Sequence, residues 1–310
     1  MRCGVAGITG LVAFAALSLP VQAQQDAAVP VSPAVDVALA EGRVFEPDGE
    51  WVSRRSSGRC AVIRDFRQGD REVALQLQRM QPGVPTQFVL IGAELESDES
   101  VVAGFLPGAG LATFNRIGAA RRGQTDAIFF VGPMFPGGAA AGGEGLLSLR
   151  AEHFVAYNAG GEPVILRTGA IDGALLQLQE CARRELTDLG VDMANRDRYT
   201  QHPILVNADE LGRPLSRMRR DMPFLSGAMV LRVVLDGDAQ VVDCRASDDL
   251  LPRTVRDAAC AIFSDDARFI GGVNAEGRFV TDYYLQRIDF ERADLSGWPN
   301  ADGTSPVRPR

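Results

Sequence analysis

The stretch "MVLRVVLDGDAQVVDCRAS", residues 229–247, alternates, turns, alternates again and closes on a cysteine. Successive strand residues point to opposite sides, so Met229, Leu231, Val233 and Leu235 share one face. Val230, Arg232 and Val234 share the other. The Asp236-Gly237-Asp238 turn supplies a residue able to take positive φ, as a tight hairpin requires. On the return strand Val242, Cys244 and Ala246 lie together. A helix is predicted over about 252–263, with Pro252 in the first turn, where its missing N–H costs nothing. Val255, Ala258, Ala259 and Ile262 form its apolar side. "GRFVTDYYLQRIDF" (277–290) is predicted as one long third strand. Strand, strand, helix, strand over residues 228–293 describes a small two-layer ββαβ unit.

Upstream, residues 193–227 are dense in arginine and lack a clear period, which reads as a connector holding one short helix. Residues 43–192 have a different texture. "CAVIRDF" (60–66), "REVALQLQRM" (71–80), "TQFVLIGAEL" (86–95), "DAIFFVGPMF" (126–135), "LLSLRAEHFVAY" (146–157) and "EPVILRT" (162–168) read as strands separated by Gly, Pro and Asp turns. Over 170–190 the period lengthens. Leu175, Leu178, Ala182, Leu186 and Leu189 recur at helical spacing, with Asp172 as a cap and Gly190 as a stop. The predicted fold class is α+β, a mostly β domain closed by a helix and followed by the ββαβ unit.

The two ends of the chain carry separate signals. Arg2, the apolar run Ile8–Leu19 and Val21-Gln22-Ala23 follow the order of a secretory signal, predicting residues 1–23 as a segment cleaved after Ala23. The run is shorter than the ~20 apolar residues a spanning helix needs. Residues 24–42 are small, Pro-containing and aromatic-free, predicting a flexible leader. Residues 294–310 are rich in Pro and Gly, predicting a disordered tail.

Without Cys3 of the signal, Cys60, Cys181, Cys244 and Cys260 remain, an even set that suits disulfides in an exported protein. Four cysteines allow three pairings, and sequence alone does not choose among them. The domain division corresponds to Cys60–Cys181 and Cys244–Cys260. Metal binding is the poorer reading, because there is no CxxC and His153 and His202 are the two histidines.

Composition removes several chemistries. The net charge of −8 offers no global attraction to phosphate backbones, so nucleic acid is not an expected partner. Every basic residue besides histidine is arginine. The absence of lysine excludes Walker-type phosphate loops, Schiff-base chemistry and lysine-dependent serine acylation. A Ser-His-Asp arrangement would have to use His153 or His202, and no GxSxG elbow is present. Asp248-Asp249 and Asp265-Asp266 read as helix-flanking turns, and "FPGGAAAGGEG" (135–145) as a hairpin loop. Arg217, Arg219 and Arg220 form a local basic patch in the connector. No cofactor, metal or catalytic residue is expected.

The segments "GAMVLRVVLDGDAQVVDCRASDD", "AAC", "ARF" and "NAEGRFVTDYYLQRIDF" resemble the C-terminal domain of the TonB family. The cysteine pair resembles members with one cysteine after the hairpin and one in the helix. The chain departs at Ser247-Asp248-Asp249, where the family has Ser-Ser-Gly, and at Ile270-Gly271-Gly272, where it has a nearby Pro. The resemblance implies a last strand that is an exposed edge and pairs with an extended peptide of an outer-membrane transporter. Tyr283, Tyr284, Leu285, Gln286, Arg287 and Ile288 would form that edge. A plainer reading makes Tyr284, Ile288 and Phe290 a core face, with Tyr283, Arg287 and Asp289 solvated. The family's energy transducers keep a membrane helix and a Pro-rich spacer, whereas a folded domain stands here in the spacer's place. The expected protein is therefore a periplasmic, non-enzymatic module. Its expected partner is a protein or extended peptide of the cell envelope, such as an outer-membrane receptor. Retention of the signal segment would instead give an inner-membrane-anchored transducer, and an envelope hydrolase is the third alternative.

Overall fold

Alternation in residues 60–91 builds the middle of a nine-stranded antiparallel sheet. The computed structural model describes residues 29–56, 59–82, 86–95, 100–107, 110–122, 125–135, 143–158, 161–221, 228–246 and 253–289. The expected signal segment, the first leader residues, Ser247–Pro252, Phe290 and the expected tail lie outside them. The first unit runs helix α1 (Pro33–Ala40), β1 (Glu46–Ser56), β2 (Arg59–Gln68), β3 (Arg71–Arg79), β4 (Thr86–Ile91), β5 (Ser100–Leu106), β6 (Ala112–Arg122) and β7 (Thr125–Gly132). Helix α2 (Gly143–Arg150), β8 (His153–Tyr157), β9 (Val164–Leu166) and helix α3 (Asp172–Asp188) complete it.

The strand order is β1-β2-β3-β4-β7-β6-β5-β8-β9. Its two ends meet, because Phe45 bridges Leu166 in parallel, donating its N–H to Ile165 O at 2.8 Å and accepting from Arg167 N at 3.0 Å. The sheet therefore curls around one core. Phe88 stacks on Phe130 at 5.1 Å between centroids, and Phe154 meets Phe105 edge to face at 5.0 Å. Beta-carbon space is absent at Gly132, where an added Cβ would lie 2.2 Å from the Phe114 ring, so only glycine lets that ring rest on the strand. Ala174, Leu175, Leu178 and Ala182 of α3 cover the same core. Cys60 on β2 is disulfide-bonded to Cys181 on α3.

Several expectations are corrected. The supposed flexible leader contains α1, capped by Ser32 Oγ accepting from Ala34 N, with Val35 and Ala38 fully buried. Residues 146–150 belong to helix α2, not a strand, and β1, β5 and β6 were not expected. Asp172 is the first residue of α3 and not its cap, which is Ile171 without a side-chain bond. Gly190 does terminate that helix, with φ of +90°.

The second unit begins earlier than expected. After a 3-10 turn (Arg196–Arg198) come β10 (Ile204–Leu205), helix α4 (Ala208–Asp221), β11 (Ala228–Leu235), β12 (Val241–Ala246), helix α5 (Arg253–Asp265), β13 (Phe269–Ile270), β14 (Gly272–Val273), β15 (Phe279–Val280) and β16 (Asp282–Asp289). The supposed connector supplies core, since Leu211, Leu215 and Met218 of α4 pack with Val255, Ala259 and Phe263 of α5. Both helices cover the Met229, Leu231, Val233 and Leu235 face of a sheet ordered β12-β11-β16. The expected long third strand is interrupted at Thr281, giving β15 and β16.

In the hairpin turn, the left-handed residue is Ala239, with φ of 60°, and not Gly237. Asp236 secures this turn by accepting from Asp238 N and Gln240 N, each at 2.9 Å. Cys244 on β12 is disulfide-bonded to Cys260 on α5. Two disulfides among the described residues fit an oxidising environment. Among the described residues no helix is long and apolar enough to cross a membrane.

The opposite face of the small sheet is not solvated. Val234 and Tyr283 pack with Leu186 of α3 and with Val191 just beyond it, while Val230 and Arg232 are also buried. The two units thus share a dry contact built around the end of α3.

Candidate functional site

Strand β16 carries the residues expected to form a partner-binding edge. Its register against β11 runs from Ala228↔Asp289 to Leu235↔Asp282. In the order β12-β11-β16 it stands at one side of the sheet, with β11 as its neighbour among the described strands. The side chains alternate between two packed faces. Tyr284 and Ile288 join the α4–α5 core, as the plainer reading expected. Tyr283 does not follow that reading, because it is 7% exposed and packed against the first unit together with Leu285. Arg287 is half-buried, and Gln286 is buried with its amide donating to Arg287 O at 2.7 Å.

Burial pushes Tyr283 and Tyr284 up to about 12, and it raises Tyr157 and Tyr199 as well. These are the chain's four tyrosines. A phenol with a raised folded-state pKa contributes stability that is complete below its unfolded pKa, near 10. That contribution is lost as pH rises toward the folded value. The Tyr283 and Tyr284 share of the tyrosinate absorbance is therefore expected to appear only well above pH 10, together with loss of near-UV circular dichroism. Ionisation of all four tyrosines near pH 10 in the folded protein would contradict the burial.

Asp282, at the start of β16, is fully buried. It accepts from Arg196 Nε at 2.6 Å, His202 Nδ1 at 2.8 Å and the Tyr283 N–H at 2.8 Å. The Arg196 guanidinium also lies 3.9 Å from the Tyr283 ring centroid, a cation–π contact. The carboxylate orients the imidazole through Nδ1, and the half-exposed ring turns its other nitrogen away from this bond. The ring's aromatic neighbour is Tyr199, at 6.0 Å. No serine, threonine or cysteine among the described residues hydrogen-bonds His202. The evident work of the pair is to pin the 196–202 segment to β16.

His153, the other histidine, sits on β8, where burial first and Arg167 second hold its pKa below the usual range. Among the described residues no group of His, Cys, Asp and Glu is arranged to hold a metal. The Asp282 cluster was not expected from sequence. Its members lie 80 and 86 positions apart, and no local spacing announces them. Asp248 and Asp249 fall outside the described residues, while Asp265 and Asp266 are exposed at the end of α5. Arg217 and Arg220, once assigned to the connector, project as exposed residues from α4. Comparison with known proteins finds no matching family model, no similar curated protein and no similar solved structure.

Proposed function

We propose that this chain is an exported, non-enzymatic binding module that captures an extended peptide of the cell envelope by strand addition along β16. The observation that carries the reading is the strand order β12-β11-β16, which sets Tyr283–Ile288 at the side of the sheet. An incoming strand there gains affinity from backbone hydrogen bonds and specificity from alternate side chains. The resemblance of residues 228–293 to TonB C-terminal domains supports the same edge, and an outer-membrane receptor is then the partner class. Both faces of β16 are packed, by the α4–α5 core and by the first unit, which leaves its backbone side for pairing.

Neighbouring residues of a strand send their N–H groups in opposite directions. Of Tyr284→Pro and Leu285→Pro, one removes a donor to β11 and the other a donor on the outer side. The first is expected to lose the fold. The second loses packing but no bond to β11, so it should stay folded, as proline is tolerated on edge strands, and lose capture of receptor peptides from an envelope extract. Capture retained by the folded variant would overturn the reading.

A further inference from the structure

The other side of the same sheet borders a cleft. Strand β12 pairs with β11 alone among the described strands. Between it and α5 lies a cavity of about 470 Å³. Among the described residues Arg245, Arg253, Arg256 and Asp257 line it, with the Cys244–Cys260 disulfide between strand and helix. Asp243 lies beside Arg245, so the described lining carries a modest excess of positive charge in a chain of net charge −8. Arg253 is 84% exposed, and its pairing with Asp257 at 3.3 Å is solvent-screened. Arg245 is about half-exposed and is held by the nearly buried Asp243 at 3.0 Å. Val242, on the same strand, is 54% exposed.

A strand edge beside a helix fixes what kind of ligand suits the cleft. The edge presents backbone donors and acceptors in a row, about 20 Å long for the six residues of β12. An extended backbone matches the spacing of such a row along its whole length. Its alternate side chains then reach the arginines, and carboxylates meet guanidinium groups in paired geometry. The disulfide ties the strand of the cleft to its helix.

We propose that the β12–α5 cleft binds an acidic extended peptide by strand addition, with Arg253 and Arg256 of α5 receiving its carboxylates. This site is separate from β16 and does not depend on it.

The test uses the full chain, oxidised and isotope-labelled. The probes are an acetylated octapeptide of alternating Glu and Val, its Lys counterpart, and the Glu peptide N-methylated at alternate positions. The Glu peptide is expected to bind at least about tenfold tighter than the Lys peptide. Amide shifts should fall on Val241–Ala246, and N-methylation should abolish binding. Arg253→Glu, at an exposed position, should weaken the Glu peptide about tenfold or more without moving the unfolding midpoint. Equal affinity for the two charges, undiminished binding by this variant, or no binding at millimolar peptide would overturn the proposal. Shifts on Asp282–Asp289 instead would assign the binding to β16 and also overturn it. Association with phosphatidylglycerol vesicles in the absence of peptide binding would point to a lipid surface and equally refute it.

Discussion

Replacing Cys60 and Cys181 together by alanine is expected to lower the unfolding free energy by about 5 kcal/mol. That is the chain-entropy value for a bridge spanning 121 positions. The enclosed loop contains every strand of the large sheet from β2 to β9, so cutting it frees the unfolded chain over most of the first unit. The corresponding change at Cys244 and Cys260 closes only 16 positions and should cost about 3 kcal/mol. The larger loss also reaches the second unit. Helix α3 carries Cys181 near its middle and Leu186 at its end, and Leu186 packs on Val234 and Tyr283. Denaturant unfolding of the two double variants, each under oxidising conditions, measures both values. A Cys60/Cys181 variant more stable than the Cys244/Cys260 variant would contradict this ordering.

How legible the molecule was in its sequence depended on which faces are buried. The 229–247 hairpin was readable because one face meets helices and every other residue is apolar. Helix α3 was readable because its stripe of leucines keeps one period over seventeen residues. Strand β1 was not, since "EPDGEWVSRRS" sits at one end of the sheet order with Val52, Ser53 and Arg54 exposed, and no alternation is required of it. Helix α4 was hidden by Gly212, Pro214 and its arginines, although Leu211, Leu215 and Met218 stand at helical spacing. Helix α1 carried its signal openly, a Ser32 cap before Pro33, but eight small residues suggested too little core. Residues 146–150 were taken for strand because "LLSL" is apolar whichever period is assumed. Leu146 and Leu149 are in fact exposed on α2.

The disulfide pairs followed once two units were drawn. The polar contacts did not, because they join distant positions through the fold. Asp282 with His202 and Arg79 with Glu144 are pairs of this kind. Arg79 is fully buried, also donates to Thr86 Oγ1 at 2.9 Å, and locks the first turn of α2 beside β3. Alternation told that Arg232 faces away from the helices, but not that another unit covers it.

Arg232→Met is expected to destabilise the protein by about 3–5 kcal/mol, the usual cost of removing one partner from a buried ion pair. Arg232 is fully buried at the contact between units. Its Nη1 donates to Met80 O at 2.9 Å, across 152 positions of sequence, and its Nη2 to Asp243 Oδ2 at 3.3 Å. Burial lowers the guanidinium pKa, and Asp243 opposes that shift. The arginine nevertheless remains charged, so its positive charge must be matched. Methionine fills much of the volume but leaves Asp243 and the Met80 carbonyl without this donor. Arg245 still holds Asp243 from the solvent side. Adding Asp243→Leu should therefore cost less than its own single effect, with a coupling of at least about 1 kcal/mol in a double-mutant cycle. Because the lost bond joins the two units, fluorescence from Trp51, isolated by Trp298→Phe, and far-UV circular dichroism should no longer report one coincident transition. A single transition at the unchanged midpoint would show that the units are held together without Arg232, by the Leu186–Val234–Tyr283 contact alone.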